Sequence, residues 1–350
     1  MKVFLGMSGG VDSSVSAALL KTAGHDVTGV FIKSWEPAGV PCNWREERRD
    51  AMRVAAELGI PLRTLDLSAE YERAVVAYLV AEYRAGRTPN PDVMCNKAIK
   101  FGAFYDWART HGADFVATGH YAQTNGRELL RAKDEAKDQT YFLWTLTPEI
   151  LAHTLFPIGH LLKSEVRDLA KKFNLPVAEK KDSQGVCFVG PLDLKDFLKT
   201  QIKTEVGEVR NERGEKVGEH DGAILYTIGE RHGFTIHQTS PQQKPYYVVG
   251  RDLTKNILIV SDAPEKVWRE HKEVKLREVN WISEPTKISS KGLFARIRHR
   301  GELVPCRILA KNIEHRMLDI YFDEPPAALA AGQSLVLYDG DVCVGGGIIS

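Results

Sequence analysis

Gly6-Met7-Ser8-Gly9-Gly10-Val11-Asp12-Ser13-Ser14 is the stretch on which the fold turns. An apolar run from Val3 to Met7 leads into it. Beyond it, Val11, Val15, Ala18 and Leu19 share one face of a helix that Gly24 stops. The stretch therefore joins a first strand to a first helix. Gly9 and Gly10 carry no Cβ, so their backbone N–H groups can approach a phosphate closely. The helix start contributes unpaired donors and the positive end of its dipole. Ser8 and Ser13 add hydroxyls. No Gly-Lys-Ser/Thr follows, so this is not a Walker A loop. Glycines needed only for a tight turn are the plainer reading; the Ser-Gly-Gly-x-Asp-Ser pattern at this junction favours nucleotide binding.

Outward from that loop, strand and helix patterns alternate. Val27 to Ile32 reads as a strand, Glu46 to Leu58 as a helix stopped by Gly59, and Leu62 to Leu67 as a strand. Tyr71 to Tyr83 and Ile99 to His111 read as helices, and Phe115 to Thr118 as a strand. This alternation predicts an α/β fold, a parallel sheet with helices on both faces. Ligands of such sheets sit beyond the carboxyl ends of the strands. Near residue 200 the pattern changes to short β-rich runs: ILYTI (224–228), YYVVG (246–250), NILIV (256–260), GLFARIRHR (292–300) and SLVLY (334–338). Asp339-Gly340 predicts a hairpin turn. The expected organisation is a catalytic domain over 1–200, a small central domain over 201–265 and a C-terminal β-barrel over 266–350.

The 350 residues suit two or three domains, and a net charge of +1 requires any RNA-binding charge to be local. No apolar run reaches the roughly 18 residues of a membrane span. The opening MKVFLGMSGG lacks a cleavage pattern after its short apolar run and reads as a buried strand. A cytoplasmic monomer is expected. Five cysteines, at 42, 95, 187, 306 and 343, form no CxxC pair and no zinc spacing, so no metal ligands are assigned among them. An odd count in a reducing compartment points to cysteine chemistry over cysteine structure.

Two cysteines stand in loop-like surroundings. Cys95 closes Gly86-Arg87-Thr88-Pro89-Asn90-Pro91-Asp92-Val93-Met94-Cys95-Asn96, where two prolines predict a stiff loop. A helix start and Lys97 and Lys100 just beyond predict a lowered thiol pKa. An inert buried thiol is the alternative. Cys187 lies in Lys180-Lys181-Asp182-Ser183-Gln184-Gly185-Val186-Cys187-Phe188-Val189-Gly190, where Lys180 and Lys181 are expected to hold the site positive. That segment also fits a plain apolar run under the sheet. Cys306 and Cys343 fall in β patterns and read as core or surface thiols.

The phosphate loop resembles that of the ATP pyrophosphatase-loop superfamily, whose members attach AMP to a carbonyl or carboxyl oxygen. Taken with the two cysteine segments, the chain resembles the bacterial tRNA-specific 2-thiouridylase family nearly end to end. The residues that carry this are SGGVDSS (8–14), GRTPNPDVMCN (86–96), IKFG (99–102), ATGHYA (117–122), KDQTYFLW (137–144) and DSQGVCFVG (182–190). YTIGERHG (226–233), PYYVV (245–249), RIRHR (296–300), GQSLVLY and GGGII follow in the same order. The resemblance implies an adenine nucleotide alpha-hydrolase-like sheet and ATP-dependent replacement of the wobble uridine's C2 oxygen by sulfur. It implies ATP along Gly6, Met7, Ser8, Gly9, Gly10, Val11, Asp12 and Ser13, with Ile32 and Gly119 near the adenosine, and Mg2+ on the phosphates. It implies Asn90, Pro91 and Asp92 at the target base, with Asp92 in acid–base chemistry. Cys187 would carry a persulfide and Cys95 would be the second catalytic cysteine. His120, Lys137, Asp138, Gln139, Arg298, His299 and Gln333 would touch tRNA. A cysteine desulfurase or sulfur-relay carrier would be the sulfur donor.

Three chemistries stay open at this stage: attack by the persulfide's terminal sulfur, release of hydrosulfide by Cys95, or an iron–sulfur cluster on Cys95 and Cys187 with Asp92. Arg296, Arg298 and Arg300 alternate, so as a strand they would present one face to the RNA backbone. Glu230 stands where the family pattern has glutamine, which puts a phosphate contact there in doubt, and Cys42 inherits no role. Two rival functions differ in what they leave unexplained. An adenylating amide- or amidine-forming ligase needs neither paired cysteines nor a β-rich tail. A non-catalytic RNA-binding or sulfur-carrier module needs no phosphate loop.

Overall fold

In the computed structural model the described residues are 1–37, 44–181, 194–237, 244–268, 272–284, 286, 288–289 and 292–350. The strands of the first half are β1 (Lys2–Gly6), β2 (Asp26–Lys33), β3 (Leu62–Asp66), β4 (Phe115–Thr118), a short hairpin β5 (Gln123–Thr124) and β6 (Leu129–Leu130), and β7 (Thr154–Leu155). Five of them form a parallel sheet in the order β3-β2-β1-β4-β7. Side chains of a strand alternate between faces, and β1 feeds two cores. Val3 and Leu5 pack with α1 (Val11–Thr22) and α2 (Trp44–Glu57). Phe4 packs on the other face with α3 and α4. α3 runs through Ser68–Tyr71, Glu72–Val76 and Ala77–Arg84, and α4 through Pro91–Met94, Cys95–Ala103 and Phe104–Thr110. The middle segment of each is a π-helix. The chain leaves β1 for β2 on one side and meets β4 on the other, so the ends of β1 and β4 open a crevice at the point where the strand order reverses.

α5 (Lys163–Lys172) packs on α1, and α6 (Leu194–Gln201) leads to a second sheet. Its strands are β8 (Gly207–Asn211), β9 (Lys216–His220), β10 (Thr235–Ile236), β11 (Tyr247–Asp252) and β12 (Ile257–Ser261), ordered β10-β9-β8-β12-β11. The third unit contains β13 (Glu273–Trp281), β14 (Leu293–Arg296), β15 (Val304–Asn312), β16 (Met317–Phe322), β17 (Ser334–Asp339) and β18 (Val342–Ile349). The order β13-β16-β15-β14-β17-β18 closes through a β13–β18 pairing into a six-stranded barrel. Closure removes the exposed edges that an open sheet would carry. The β5–β6 hairpin from the first half extends this sheet, with Leu130 opposite Val342 and Leu129 opposite Cys343.

Three expectations are corrected here. ILYTI is not a strand: Ala223–Leu225 is a 3-10 turn, and the run is buried by packing without ladder pairing. Short apolar runs do not reveal their backbone by periodicity alone. GLFARIRHR is a strand only to Arg296 and then turns, with Arg300 at φ 58°. The three arginines therefore do not share a strand face. Pro91 starts a helix where a stiff loop was expected, because proline at the first helical position loses nothing. Asn90 caps that start, its side-chain oxygen accepting from the N–H groups of Asp92 (3.1 Å) and Val93 (3.3 Å).

Candidate active site

A cavity of about 320 Å³ opens at the crevice between β1 and β4. Gly6, Met7, Ser8, Asp12 and Ser13 of the phosphate loop line it together with Ile32, Gly119, Cys95, Lys100 and His120. The phosphate loop is internally braced. Ser8 N–H donates to Ser13 Oγ (3.2 Å), and the hydroxyls of Ser13 (3.2 Å) and Ser14 (2.7 Å) donate to Gly10 O. Gly10 is the helix N-cap and has no side chain with which to cap, so the first-turn N–H groups of α1 stay available to a ligand. Gly9 takes φ 74°, and a Cβ there would stand 2.2 Å from Glu47 O on α2. A Cβ on Gly119 would stand 2.8 Å from Ser13 N. These glycines shape a cradle that fits nucleotide phosphates. Val11 is buried at the start of α1.

Asp12 is held by two residues that the sequence reading did not single out. Lys163 at the start of α5 donates to both its carboxylate oxygens (2.7 and 2.9 Å), and Tyr121 OH donates to Oδ1 (2.9 Å). Lys180 is paired with Asp50 (2.7 Å) and reaches Gly9 O (3.2 Å), while the Cys187 segment it was expected to hold positive lies outside the described residues. No spacing in the sequence announces such distant partners.

Cys95 sits beyond the first turn of α4 and is buried. Its thiol is pushed up by burial, against which the Lys100 ammonium and a hydrogen bond with Tyr71 act in the lowering direction. The expected lowering is corrected: desolvation of a thiolate outweighs the nearby cation. Asp92, on the preceding turn, is also pushed up by burial, with Lys100 opposing. The approach to this helix is gripped by all three units. Thr88 N–H donates to Ala331 O (2.8 Å), Thr227 Oγ1 donates to Thr88 Oγ1 (3.1 Å), and Arg251 donates to Gly86 O (2.8 Å). Buried Glu82 ties Arg87 (2.5 Å) to Arg277 of the barrel (2.8 Å).

The residues expected to touch RNA scatter in role. His120 is buried in the cavity, its Nδ1 2.7 Å from Thr118 Oγ1 and its Nε2 3.3 Å from Lys100 Nζ. Gln139 also faces the cavity and accepts from Tyr121 N–H (2.9 Å). Asp138 is corrected outright: it is fully buried, and its carboxylate accepts from Arg296 (2.7 Å), Thr140 Oγ1 (2.8 Å) and Ala132 N–H (3.0 Å). Gln333 spends its amide on Thr88 O (2.9 Å) and Pro89 O (3.3 Å), positioning the approach to Asn90 and Pro91. Lys137 and Arg300 line one groove with Arg131, and the exposed Arg298 lines another with Arg231 and Lys244. His299 is half-buried against Phe142, ring centroids 4.5 Å apart. Glu230 is compensated: Lys195 donates to it at 2.5 Å, and it accepts from Thr227 N–H (3.0 Å). Cys187 and Cys42 lie outside the described residues.

Burial sets a pH dependence. It holds His120 well below the usual imidazole range, with Lys100 adding to the effect, and lowers His299 to about 4, with Arg300 and Arg296 adding. The unfolded chain takes up these protons near pH 6.5 and the native state does not. Their contribution is therefore complete above pH 6.5 and is lost as pH falls below it, by at most about 1.4 kcal/mol per pH unit per histidine. We expect the thermal midpoint to drop between pH 7 and pH 5, and His120→Gln to make that slope shallower. Asp92 works in the opposite sense, so the quantity to read is the difference between variant and parent. Parallel slopes in the two proteins would sink the assignment.

Among the described residues no three acidic, histidine or cysteine side chains cluster as metal ligands, and Asp12 is already paired. The described residues build no magnesium cage of their own. Among the described residues no helix is long and apolar enough to cross a membrane.

Residues 1–191 match the family described as tRNA methyl transferase HUP domain, 195–262 the tRNA methyl transferase PRC-barrel domain, and 271–349 the aminomethyltransferase beta-barrel domain. Full-length relatives carry another description, tRNA-specific 2-thiouridylase MnmA. The one from Francisella philomiragia is 42% identical, covering 99% of this chain and 99% of the relative. The one from Nitrosomonas eutropha is 44% identical over 100% and 98%, and that from Oceanobacillus iheyensis 45% over 99% and 94%.

Proposed function

The chain belongs to the tRNA-specific 2-thiouridylase family, and from that premise we propose that it thiolates C2 of the wobble uridine of tRNA in an ATP-dependent, adenylating reaction. The observation that carries the reading is one cavity lined by both the phosphate loop and Cys95. A carbonyl oxygen is a poor leaving group until it is adenylated, so a nucleophilic sulfur has to meet the activated carbon where the nucleotide sits. Methyl transfer, the description attached to residues 1–191, calls for neither a phosphate cradle nor a thiol in that cavity.

The uridine C2 oxygen attacks the α-phosphate. The O–P bond forms, and the bond to pyrophosphate breaks with its electron pair leaving on pyrophosphate. Asp92, whose carboxyl is pushed up by burial, takes the N3 proton. Magnesium, brought in on the nucleotide, would neutralise phosphate charge and stabilise the departing pyrophosphate. The terminal sulfur of a Cys187 persulfide attacks C2 and AMP leaves. Cys95 attacks the Cys187 sulfur, the thiolated base departs, and a Cys95–Cys187 disulfide remains for a dithiol reductant to reopen. A base leaves its stack at a cost of a few kcal/mol, least in single-stranded loops. Asn90 and Pro91 meet that base, Arg298, Lys137 and His299 the RNA around it, and the reaction runs in the cytoplasm on a monomer fed by a cysteine desulfurase or relay carrier.

The test is incorporation of labelled sulfur into unmodified tRNA, with a cysteine desulfurase and cysteine, with and without ATP. A parallel arm supplies a labelled methyl donor. ATP-dependent sulfur incorporation with no methyl label is expected. Methyl label alone would overturn the reading, and ATP consumption on a small carboxylate without tRNA would favour the ligase.

A further inference from the structure

Three lysines lie around the phosphate loop. Lys163 is paired with Asp12 and Lys180 with Asp50. Lys100 has no carboxylate partner among the described residues; its one hydrogen bond is to His120 Nε2, at 3.3 Å. It lines the cavity together with Ser8, Ser13 and Cys95, and its charge reaches Cys95, Asp92 and His120 alike.

The backbone explains why Lys100 stands there. Cys95 and Lys100 are five residues apart, which at 3.6 residues per turn places them about 140° from one another on an α-helix. The segment Cys95–Ala103 is a π-helix, and the Phe104 N–H closes back on Ile99 O. Five-residue closure brings residue 100 nearly over residue 95, and such segments are frequent at functional sites. Gly102 makes room for it: a Cβ there would stand 2.9 Å from Lys97 O. On the other side, His120 is braced by Thr118 Oγ1 at Nδ1 (2.7 Å). A neutral imidazole in that setting offers Nε2 as an acceptor to the ammonium.

We propose that Lys100 is a further catalytic residue, whose ammonium sits against the α-phosphoryl group while the C2 oxygen attacks it and again while AMP departs, and that His120 is the positioning residue that aims it. The proposal rests on the adenylating reading. Lys100 gives up no proton in either step: the electron pair leaves first on pyrophosphate and then on AMP, and the cation offsets the negative charge that develops each time. A fixed cation in a low-dielectric cavity is more effective there than in water.

The test compares AMP with adenosine by calorimetry on the full chain, for the parent, Lys100→Met, Lys100→Arg and His120→Gln. Both Lys100 variants serve, so loss of folding in one leaves the other to read. AMP affinity is expected to fall at least about tenfold in Lys100→Met with adenosine affinity unchanged, and to recover partly in Lys100→Arg. Pyrophosphate release with tRNA should lose about 10² in kcat, with a smaller change in KM for ATP. His120→Gln should give an intermediate loss in kcat. Unchanged AMP affinity and kcat in Lys100→Met, in a parent that binds AMP, overturns the proposal alone. A parent that binds neither AMP nor ATP overturns it together with the adenylating reading.

Discussion

Cys187→Ser is expected to abolish sulfur incorporation into tRNA, by at least about 10³-fold, while pyrophosphate release persists. Serine has no sulfur to load, but adenylation makes no use of the thiol. Cys95→Ser should fail differently. The persulfide sulfur still attacks C2 and AMP still leaves, but no thiol remains to break the sulfur–sulfur bond. The tRNA stays joined to Cys187 through a disulfide link that a small thiol cleaves, releasing thiolated tRNA. A gel read with and without reductant decides it. If Cys95→Ser gives neither adduct nor product, Cys95 acts first and hydrosulfide is the transferred species. If both variants lose pyrophosphate release as well, the cysteines shape the cavity and the persulfide assignment is wrong. An iron-dependent absorbance after anaerobic purification, required for full activity, would replace both routes with the cluster. Burial raises the Cys95 thiol, so alkylation of the resting enzyme at neutral pH should be slow at this position.

Arg296→Met should destabilise the protein by about 3–5 kcal/mol, because it strands the Asp138 carboxylate without its cation in a buried site. The pair is 2.7 Å long, with side chains 6% and 0% exposed, and it joins the barrel to the first half of the chain. Arg296 also lies over the Tyr338 ring, 5.4 Å from its centroid. A fall in thermal midpoint of roughly 10 °C is expected. Arg296→Met combined with Asp138→Asn should recover most of it, since the asparagine oxygen still accepts from Ala132 N–H and its amide nitrogen can donate to Thr140 Oγ1, with no charge left to strand. If the double variant is no better than the single one, the loss is packing of the guanidinium and not the stranded charge. The salt dependence of tRNA binding should be insensitive to Arg296, in contrast to the exposed Arg298.

The phosphate loop and the parallel sheet were legible because glycine placement and the alternation of short apolar runs with helical patterns are local signals. So was the change to β structure near residue 200, down to the Asp339-Gly340 turn, where Gly340 takes φ 56°. Asp138 and Arg296 were misread because each is buried against the other across 158 residues of chain. A charged residue in a polar-looking segment gives no sign that it is buried. Lys100 was read only as a cation near Cys95, and its place in the cavity beside the phosphate loop was not legible. A helical wheel drawn at 3.6 residues per turn sends it away from Cys95, and only the π segment turns it back. The pKa of Cys95 was read from neighbouring charges, but its sign is decided by desolvation, which depends on what packs over it from α3 and the sheet.

The β5–β6 hairpin belongs by sequence to the first half and by pairing to the barrel. Leu129, Tyr141 and Trp144 share one core with Val336, Tyr338 and Ile348. During synthesis that apolar surface emerges roughly 200 residues before the strands that cover it, a delay on the order of 10–40 s at 5–20 residues per second. The nascent first half thus spends that interval with an uncovered patch and an unpaired hairpin, the kind of surface that chaperones bind. The hairpin's strands are two residues each, too short to template pairing with another chain. Recombinant fragments ending before β17 should on the same grounds be the aggregation-prone form, and yield at slow translation should respond to chaperone supply more than to any substitution in the cavity.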